Sequence, residues 1–209
     1  MKPRAFAFLA AAALAGCAGG GSERVVSKQL AALDWREIAT DDDRNRLRQW
    51  RAAWVQGLGK AEAAGHRSDI VREGSWLQPD AAIAWQTPKP GTYQCRMVKI
   101  GAKGSGLLDY VAYPPFDCRL REEDGLMSFA KLTGSQRPIG LLFPDSSRRM
   151  VFLGTLQLGD ERKALQYGQD RERDMAGLVE RVGEGRWRIA FPYPHFESTV
   201  DVLELLPRD

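Results

Sequence analysis

A histidine and a glutamate two residues apart, His195 and Glu197, are candidates for acid–base chemistry in this chain. Residues two apart in an extended segment point to the same side, so the imidazole and the carboxylate could reach one pocket. Such a pair could move protons in a hydrolytic reaction. The alternative is a turn between two strands, in which both side chains are solvated or hydrogen-bond to the main chain.

A second candidate site lies between Lys131 and Arg137, where two basic residues flank a turn. Thr133, Gly134 and Ser135 form this turn. Its backbone N–H groups, with the two cations, could bind an anion such as a phosphate or a carboxylate. Lys131, Ser135 and Arg137 are therefore candidate ligand-binding residues. The alternative is an ordinary hairpin with exposed basic neighbours.

Motifs for other chemistry are missing from the sequence. It has no Gly-x-Ser-x-Gly elbow and no P-loop, and the glycines from Gly101 to Gly106 lack dinucleotide-binding spacing. With only two histidines, His66 and His195, a histidine-rich metal site is not available. We therefore predict no metal and no cofactor, and the sequence favours a noncatalytic protein over an enzyme.

The first residues have the pattern of a secretory signal. Lys2 and Arg4 precede an apolar run, Ala5–Ala15, which is too short to cross a bilayer as a helix. The next residues complete Leu14-Ala15-Gly16-Cys17, which resembles the lipobox of bacterial lipoproteins. This predicts a signal peptide over 1–16 and a lipid on Cys17, whereas the alternative is an ordinary cleaved signal before an unmodified cysteine.

A lipid on Cys17 would set where the protein resides. More than one acyl chain suffices for stable anchoring to a membrane. The following residue is Ala18 and not aspartate, which by resemblance to Gram-negative sorting signals favours the outer membrane, with the protein facing the periplasm. Residues 17–33 would then form a lipid-anchored flexible linker, because Ala18–Ser22 is rich in glycine.

The other two cysteines, Cys95 and Cys118, make an even pair in an oxidising compartment, which suggests a disulfide. A redox or metal-binding pair is the alternative, although the spacing matches neither C-x-x-C nor a zinc pattern.

Composition limits the remaining classes. With 44% hydrophobic residues in 209, the chain can bury one sizeable core and is not disordered. Thirty basic residues against 27 acidic ones give a formal net charge of +3, which does not suit a general nucleic-acid binder.

Helical periodicity marks the first part of the mature chain, residues 34–90. Thr40 precedes three aspartates and is a suitable N-cap. The spacing of Leu47, Trp50, Trp54 and Leu58 then predicts a helix over about 41–64, and a second helix is predicted over about 67–75.

Residues 91–209 alternate with a period of two instead, as in Tyr93, Cys95 and Met97. Roughly eight short strands with hairpin-length connections predict an α+β, mainly β protein whose antiparallel strands close into a barrel, or alternatively form a β-sandwich. Further predicted strands are Leu126–Leu132, Pro138–Phe143, Met150–Leu156, Met175–Val182 and Thr199–Leu205.

Four runs resemble the bacterial domain of unknown function 4893 family: Asp34–Glu37 (DWRE), Leu108–Phe116 (LDYVAYPPF), Lys131–Arg137 (KLTGSQR) and Pro192–Ser198 (PYPHFES). The resemblance extends from about Asp34 to Pro207. It implies a secreted or lipid-anchored protein of the Gram-negative envelope, and it implies no activity and no functional residue.

Together these observations favour a noncatalytic envelope module that binds a small apolar ligand or an envelope protein and contacts the membrane through Cys17. A periplasmic hydrolase that uses His195 and Glu197 is the first alternative. A structural or assembly lipoprotein without a ligand pocket is the second.

Overall fold

The computed structural model describes residues 34–123 and 125–208, so the predicted signal, Cys17 and the linker lie outside the described residues. Helices come first and strands follow, which confirms the predicted α+β, mainly β architecture. No helix in the described ranges is long and apolar enough to cross a membrane. The helices are α1 (Trp35–Ile38), α2 (Asp41–Arg48), α3 (Trp50–Ala63), α4 (Arg67–Glu73) and a 3-10 turn (Ser75–Leu77).

The strands form a closed antiparallel barrel. Eight of them follow one another around the ring, from β1 through β3 to β9, and β1 pairs again with β9 to close it. Closure leaves no two separate sheets, so the barrel is confirmed and the sandwich alternative is wrong. The short β2 pairs with β1 outside the ring order. The strands are β1 (Gly91–Ala102), β2 (Tyr110–Ala112), β3 (Phe116–Glu123), β4 (Leu126–Lys131), β5 (Gln136–Pro144), β6 (Arg149–Leu158), β7 (Asp174–Gly183), β8 (Arg186–Pro192) and β9 (Ser198–Pro207).

Alternate residues of these strands fill much of the barrel interior. Three phenylalanines form its centre: the Phe152 ring lies edge-on to Phe129 and Phe191, at 6.0 and 5.5 Å between centroids. The predicted disulfide joins Cys95 to Cys118 on neighbouring strands β1 and β3 and is confirmed, with 6.0 Å between Cα atoms. Both cysteines are buried in this core.

The Pro-rich segment before β1 lies across one end of the barrel. Trp85 packs against the interior core. The indole of Trp187 donates to the carbonyl of Gln86 at 2.8 Å, and the Tyr93 hydroxyl donates to the carbonyl of Lys89 at 2.6 Å. The side chains of the core and this segment thus close that end.

The helices cover the outer wall. Trp54 of α3 is fully buried in a cluster with Ile100, Val200 and Val202, whose side chains point out of the barrel. The predicted Trp50/Trp54 stripe therefore packs on the wall and not across an open end. Gly57 allows this close approach, because a Cβ there would lie 3.0 Å from Val200 Cγ1 and 3.1 Å from the Ile100 carbonyl oxygen.

The single helix predicted over 41–64 is interrupted at Gln49. Its N–H bonds to the carbonyls of both Asn45 and Arg46, at 3.1 Å each, and closes α2. Leu47 of α2 packs against the outer faces of β5, β6 and β7, whereas α3 packs on β1, β8 and β9. The interruption lets two helices follow one curved wall.

Arg188 fastens the segment after α4 to the barrel. It is fully buried and donates to the carbonyls of Trp76, Gln78 and Pro79 at 2.6–2.9 Å. The Glu180 carboxylate, 2.7 Å away, balances its charge.

Candidate functional site

The other end of the barrel opens into a cavity of about 380 Å³. It lies where β1, β4, β6 and β8 end and where β3, β5, β7 and β9 begin, so side chains from all eight barrel strands can reach one space. Its walls carry apolar side chains from several strands, with Phe191 at the level where the packed core begins. Apolar residues lining it include Met97, Phe116, Leu156, Met175 and Phe191.

A buried ion pair lies in the cavity wall. The Lys99 ammonium is 3.1 Å from the Asp201 carboxylate and 3.0 Å from that of Glu197. Burial lowers the pKa of Lys99, but the two acidic neighbours outweigh it and the net pKa is raised. Burial raises the pKa of Asp201 against the opposing effects of Lys99 and of a hydrogen bond from the Ser198 hydroxyl. The pair makes this part of the wall polar without leaving a net positive charge.

A second polar group comes from helix α2. Arg46 forms an ion pair with Asp43 and donates to the backbone carbonyl of Asp174 at 3.0 Å. The Asp174 carboxylate is buried; one oxygen accepts from the Gly168 N–H at 2.8 Å, and the other has no hydrogen-bond partner in the described part of the chain. Burial raises the pKa of Asp174. Both residues line the cavity.

His195 and Glu197 lie on the loop between β8 and β9, and both line the cavity. Tyr193 and Glu197 have positive φ values of 46° and 63°, so the loop turns and does not alternate as an extended strand would. The Glu197 carboxylate is bound to Lys99, and the His195 ring is exposed at the rim. The structure describes both side chains, and no hydrogen bond joins them. Partial burial and the nearby Arg46 charge lower the pKa of His195.

The predicted anion-binding residues divide into two groups. Lys131 and Ser135 line the cavity. Arg137 does not; its guanidinium donates to the carbonyls of Gly134 and Leu158, each at 2.8 Å, and holds the turn against the loop that follows β6. The structure thus brings Lys131, Ser135, His195 and Glu197 to one cavity and gives Arg137 a supporting position.

The part of the chain that the structure describes holds no group of three histidine, cysteine or acidic side chains arranged to bind a metal ion.

The sequence model of the family described as "Domain of unknown function (DUF4893)" matches residues 35–205, which include every helix and nearly all of every strand. The chain belongs to the DUF4893 family. No curated protein and no solved structure matches it. The barrel and its cavity therefore stand as a description of one DUF4893 domain, with the cavity-lining residues as the basis for its function.

Four charged residues of the DUF4893 site are missing from the sequence-based candidates: Arg46, Lys99, Asp174 and Asp201. Two of them had a signal. Lys99 continues the inward series of Tyr93, Cys95 and Met97, and Asp201 stands at the matching position of β9. A charge in an inward series needs a partner or a ligand. For Arg46, the residue type gave no such signal, because it resembles the other arginines of its helix.

A second concavity of about 640 Å³ lies on the outer wall of the DUF4893 barrel, beside helix α1. It is more apolar, with Ile139, Leu141 and Leu165 among its lining residues. Fewer polar groups converge there than in the barrel mouth.

Proposed function

We propose that this chain is a noncatalytic binding module of the bacterial envelope, which holds a small and largely apolar molecule in the mouth of its barrel. The lipid on Cys17 would tether it to the outer membrane on the periplasmic side. The family match leaves the activity open, so the proposal depends on the cavity and on the predicted anchor.

The observation that carries the proposal is the open cavity above a packed core. Ligand sites are typically concave spaces of roughly 300–1,000 Å³, with mostly apolar walls and a few polar groups that fix orientation. The barrel mouth has about 380 Å³, apolar walls and several buried polar groups. Small barrels of about eight strands are either filled or hold one small ligand, and this barrel is filled only in part.

A neutral fluorescent dye tests binding. N-phenyl-1-naphthylamine should bind the full chain with a saturable rise in fluorescence. Leu156→Trp places a large ring in the cavity and should weaken this binding at least tenfold, whereas Val71→Trp, at an exposed position of helix α4, is the matched control and should bind as the wild type does. Equal binding by all three proteins would contradict a site in the barrel mouth.

The anchor has an independent test. Cys17→Ala should move the protein from the membrane fraction to the soluble fraction of the envelope, because it removes the residue that carries the lipid. If the variant stays in the membrane fraction, anchoring through Cys17 is wrong while the ligand proposal stands.

The hydrolase alternative keeps one observation in its favour, since His195 and Glu197 line the same cavity. The ion pair between Glu197 and Lys99 weighs against it, because it occupies the carboxylate that would assist the imidazole. Hydrolysis of short p-nitrophenyl esters that His195→Ala abolishes would favour the enzyme. The ligand-free structural role and the envelope-protein partner gain support if no small molecule changes the melting temperature.

A further inference from the structure

We infer that the molecule held in the barrel mouth is an amphiphile with one anionic head group, of the alkyl carboxylate class, and that Lys131 binds this head group. The inference rests on the proposed function, because it assigns the ligand class of the same cavity.

The cavity itself is amphipathic. Met97, Met175 and Phe191 supply apolar surface on the side of the packed core. The rim carries the hydroxyls of Thr133 and Ser135, on the exposed turn between β4 and β5. A ligand that matches both parts has an apolar chain directed inward and a polar group near this turn.

The cations that line the cavity differ in how their charge is balanced. Lys99 contacts Asp201 and Glu197. Arg46 pairs with Asp43, and Arg173 pairs with Glu161 and Asp170. These side chains have acidic partners from the protein itself and gain little from an anionic ligand.

Lys131 is the exception. In the described ranges no carboxylate lies within 4.0 Å of its ammonium, which instead lies 4.2 Å from the centroid of the Phe116 ring. Burial lowers the pKa of Lys131, and the positive charges of Lys99 and Arg137 lower it further. An anion beside Lys131 would offset all of these unfavourable effects, since opposite charge favours the ionised form.

The adjacent turn can assist. Within the described residues, no hydrogen bond uses the backbone N–H of Thr133, Gly134 or Ser135. Arg137 holds the Gly134 carbonyl at 2.8 Å and so fixes the turn. Successive free N–H groups in a turn can bind an anion, so the carboxylate would receive donors from the main chain as well as from Lys131.

The opposite head group has one candidate partner, the buried oxygen of Asp174 that lacks a hydrogen bond in the described part of the chain. The raised pKa of Asp174 favours its neutral form, which reduces its attraction for a cation. The arrangement therefore favours an anionic ligand over a cationic one.

Three probes with the same alkyl chain test this: octanoate, 1-octanol and octylammonium, each titrated against the dye-loaded full chain at neutral pH. We expect octanoate to displace the dye at roughly tenfold lower concentration than octanol, which is the range expected for a charge-assisted hydrogen bond. Octylammonium should be the weakest. Lys131→Gln should bring octanoate to the level of octanol and leave octanol within about twofold of its wild-type value. Lys163→Gln, at an exposed lysine that does not line the cavity, should preserve the wild-type order.

Failure of this inference differs from failure of the proposed function. If octanol equals octanoate, if octylammonium binds best, or if Lys131→Gln keeps the preference for octanoate, the head-group assignment is wrong although a ligand site remains. If the dye binds and none of the three probes displaces it, the ligand class is wrong as well. If the dye and all three probes fail to bind, both the inference and the proposed function are wrong.

Discussion

The Lys99 ammonium lies 3.1 Å from the Asp201 carboxylate, on adjacent strands and inside the barrel. The two residues are direct cross-strand partners in the register of β1 and β9, at the seam where the barrel closes. The only route from either charge to bulk water in this arrangement is the cavity. The pair therefore joins the closure of the fold to the polarity of the site.

Removal of one member of this pair should be costly. Lys99→Met leaves Asp201 buried without its cation and should lower the free energy of unfolding by about 3 kcal/mol. The double variant Lys99→Met/Asp201→Leu should recover to within about 1 kcal/mol of the wild type, because no unpaired charge remains. Urea unfolding of the four proteins in this cycle measures the coupling. A single variant that loses less than about 1 kcal/mol would show that the pair is solvated.

The disulfide should contribute comparably. Cys95→Ala/Cys118→Ala should lower the free energy of unfolding by about 3 kcal/mol, since the bridge spans 23 residues and restricts the unfolded chain. Alanine is chosen because both positions are buried in the apolar core. The wild type with reductant is the control and should unfold at the same denaturant concentration as the double variant. Unchanged stability in both would contradict a stabilising bridge.

Helix α3 offers a matched pair of glycines. Gly57→Ala should lower the free energy of unfolding by about 1–3 kcal/mol, because the added methyl group meets Val200 and the Ile100 carbonyl at 3.0–3.1 Å. Gly59→Ala has open space and should raise it by about 0.5–1 kcal/mol through helix propensity alone. Denaturant unfolding of both variants isolates the packing effect. Equal responses at the two positions would mean that α3 does not pack closely on the wall.

Two-residue alternation was sufficient to predict a barrel, because most inward positions are apolar and most outward ones polar or covered by helices. The interruption at Gln49 could not be predicted, because Leu47, Trp50 and Trp54 continue one helical period across it, and only the curvature of the wall requires two axes. The His195 and Glu197 geometry assumed extended backbone, whereas positive φ values at Tyr193 and Glu197 turn the loop. Such φ values depend on tertiary contacts that residue type does not reveal.

Asp174 predicts a pH dependence. Its folded-state pKa lies above the ordinary value of 3.8, so its charge destabilises the folded state at neutral pH, and this penalty disappears as pH falls through the raised pKa toward 3.8. Asp174→Asn keeps an oxygen for the Gly168 N–H and removes the charge. At neutral pH the variant should be more stable by about 1 kcal/mol.

This advantage should shrink as the pH is lowered, because the wild-type carboxyl then takes up its proton. The measurement is the difference in unfolding free energy between the two proteins across that range, which cancels the titration of groups they share. A difference that grows toward acid pH would mean that the folded state favours the charged form of Asp174.

The segment that runs over residues 83–90 and the aromatic core beneath the cavity have a consequence for molecular traffic. Within the described residues they obstruct one end of the barrel, so a bound molecule must arrive and depart through the same opening. A protein built in this way stores its guest and does not conduct it. The residence time of the guest is then set at a single rim, by the turn at 132–135 and the loop at 193–197.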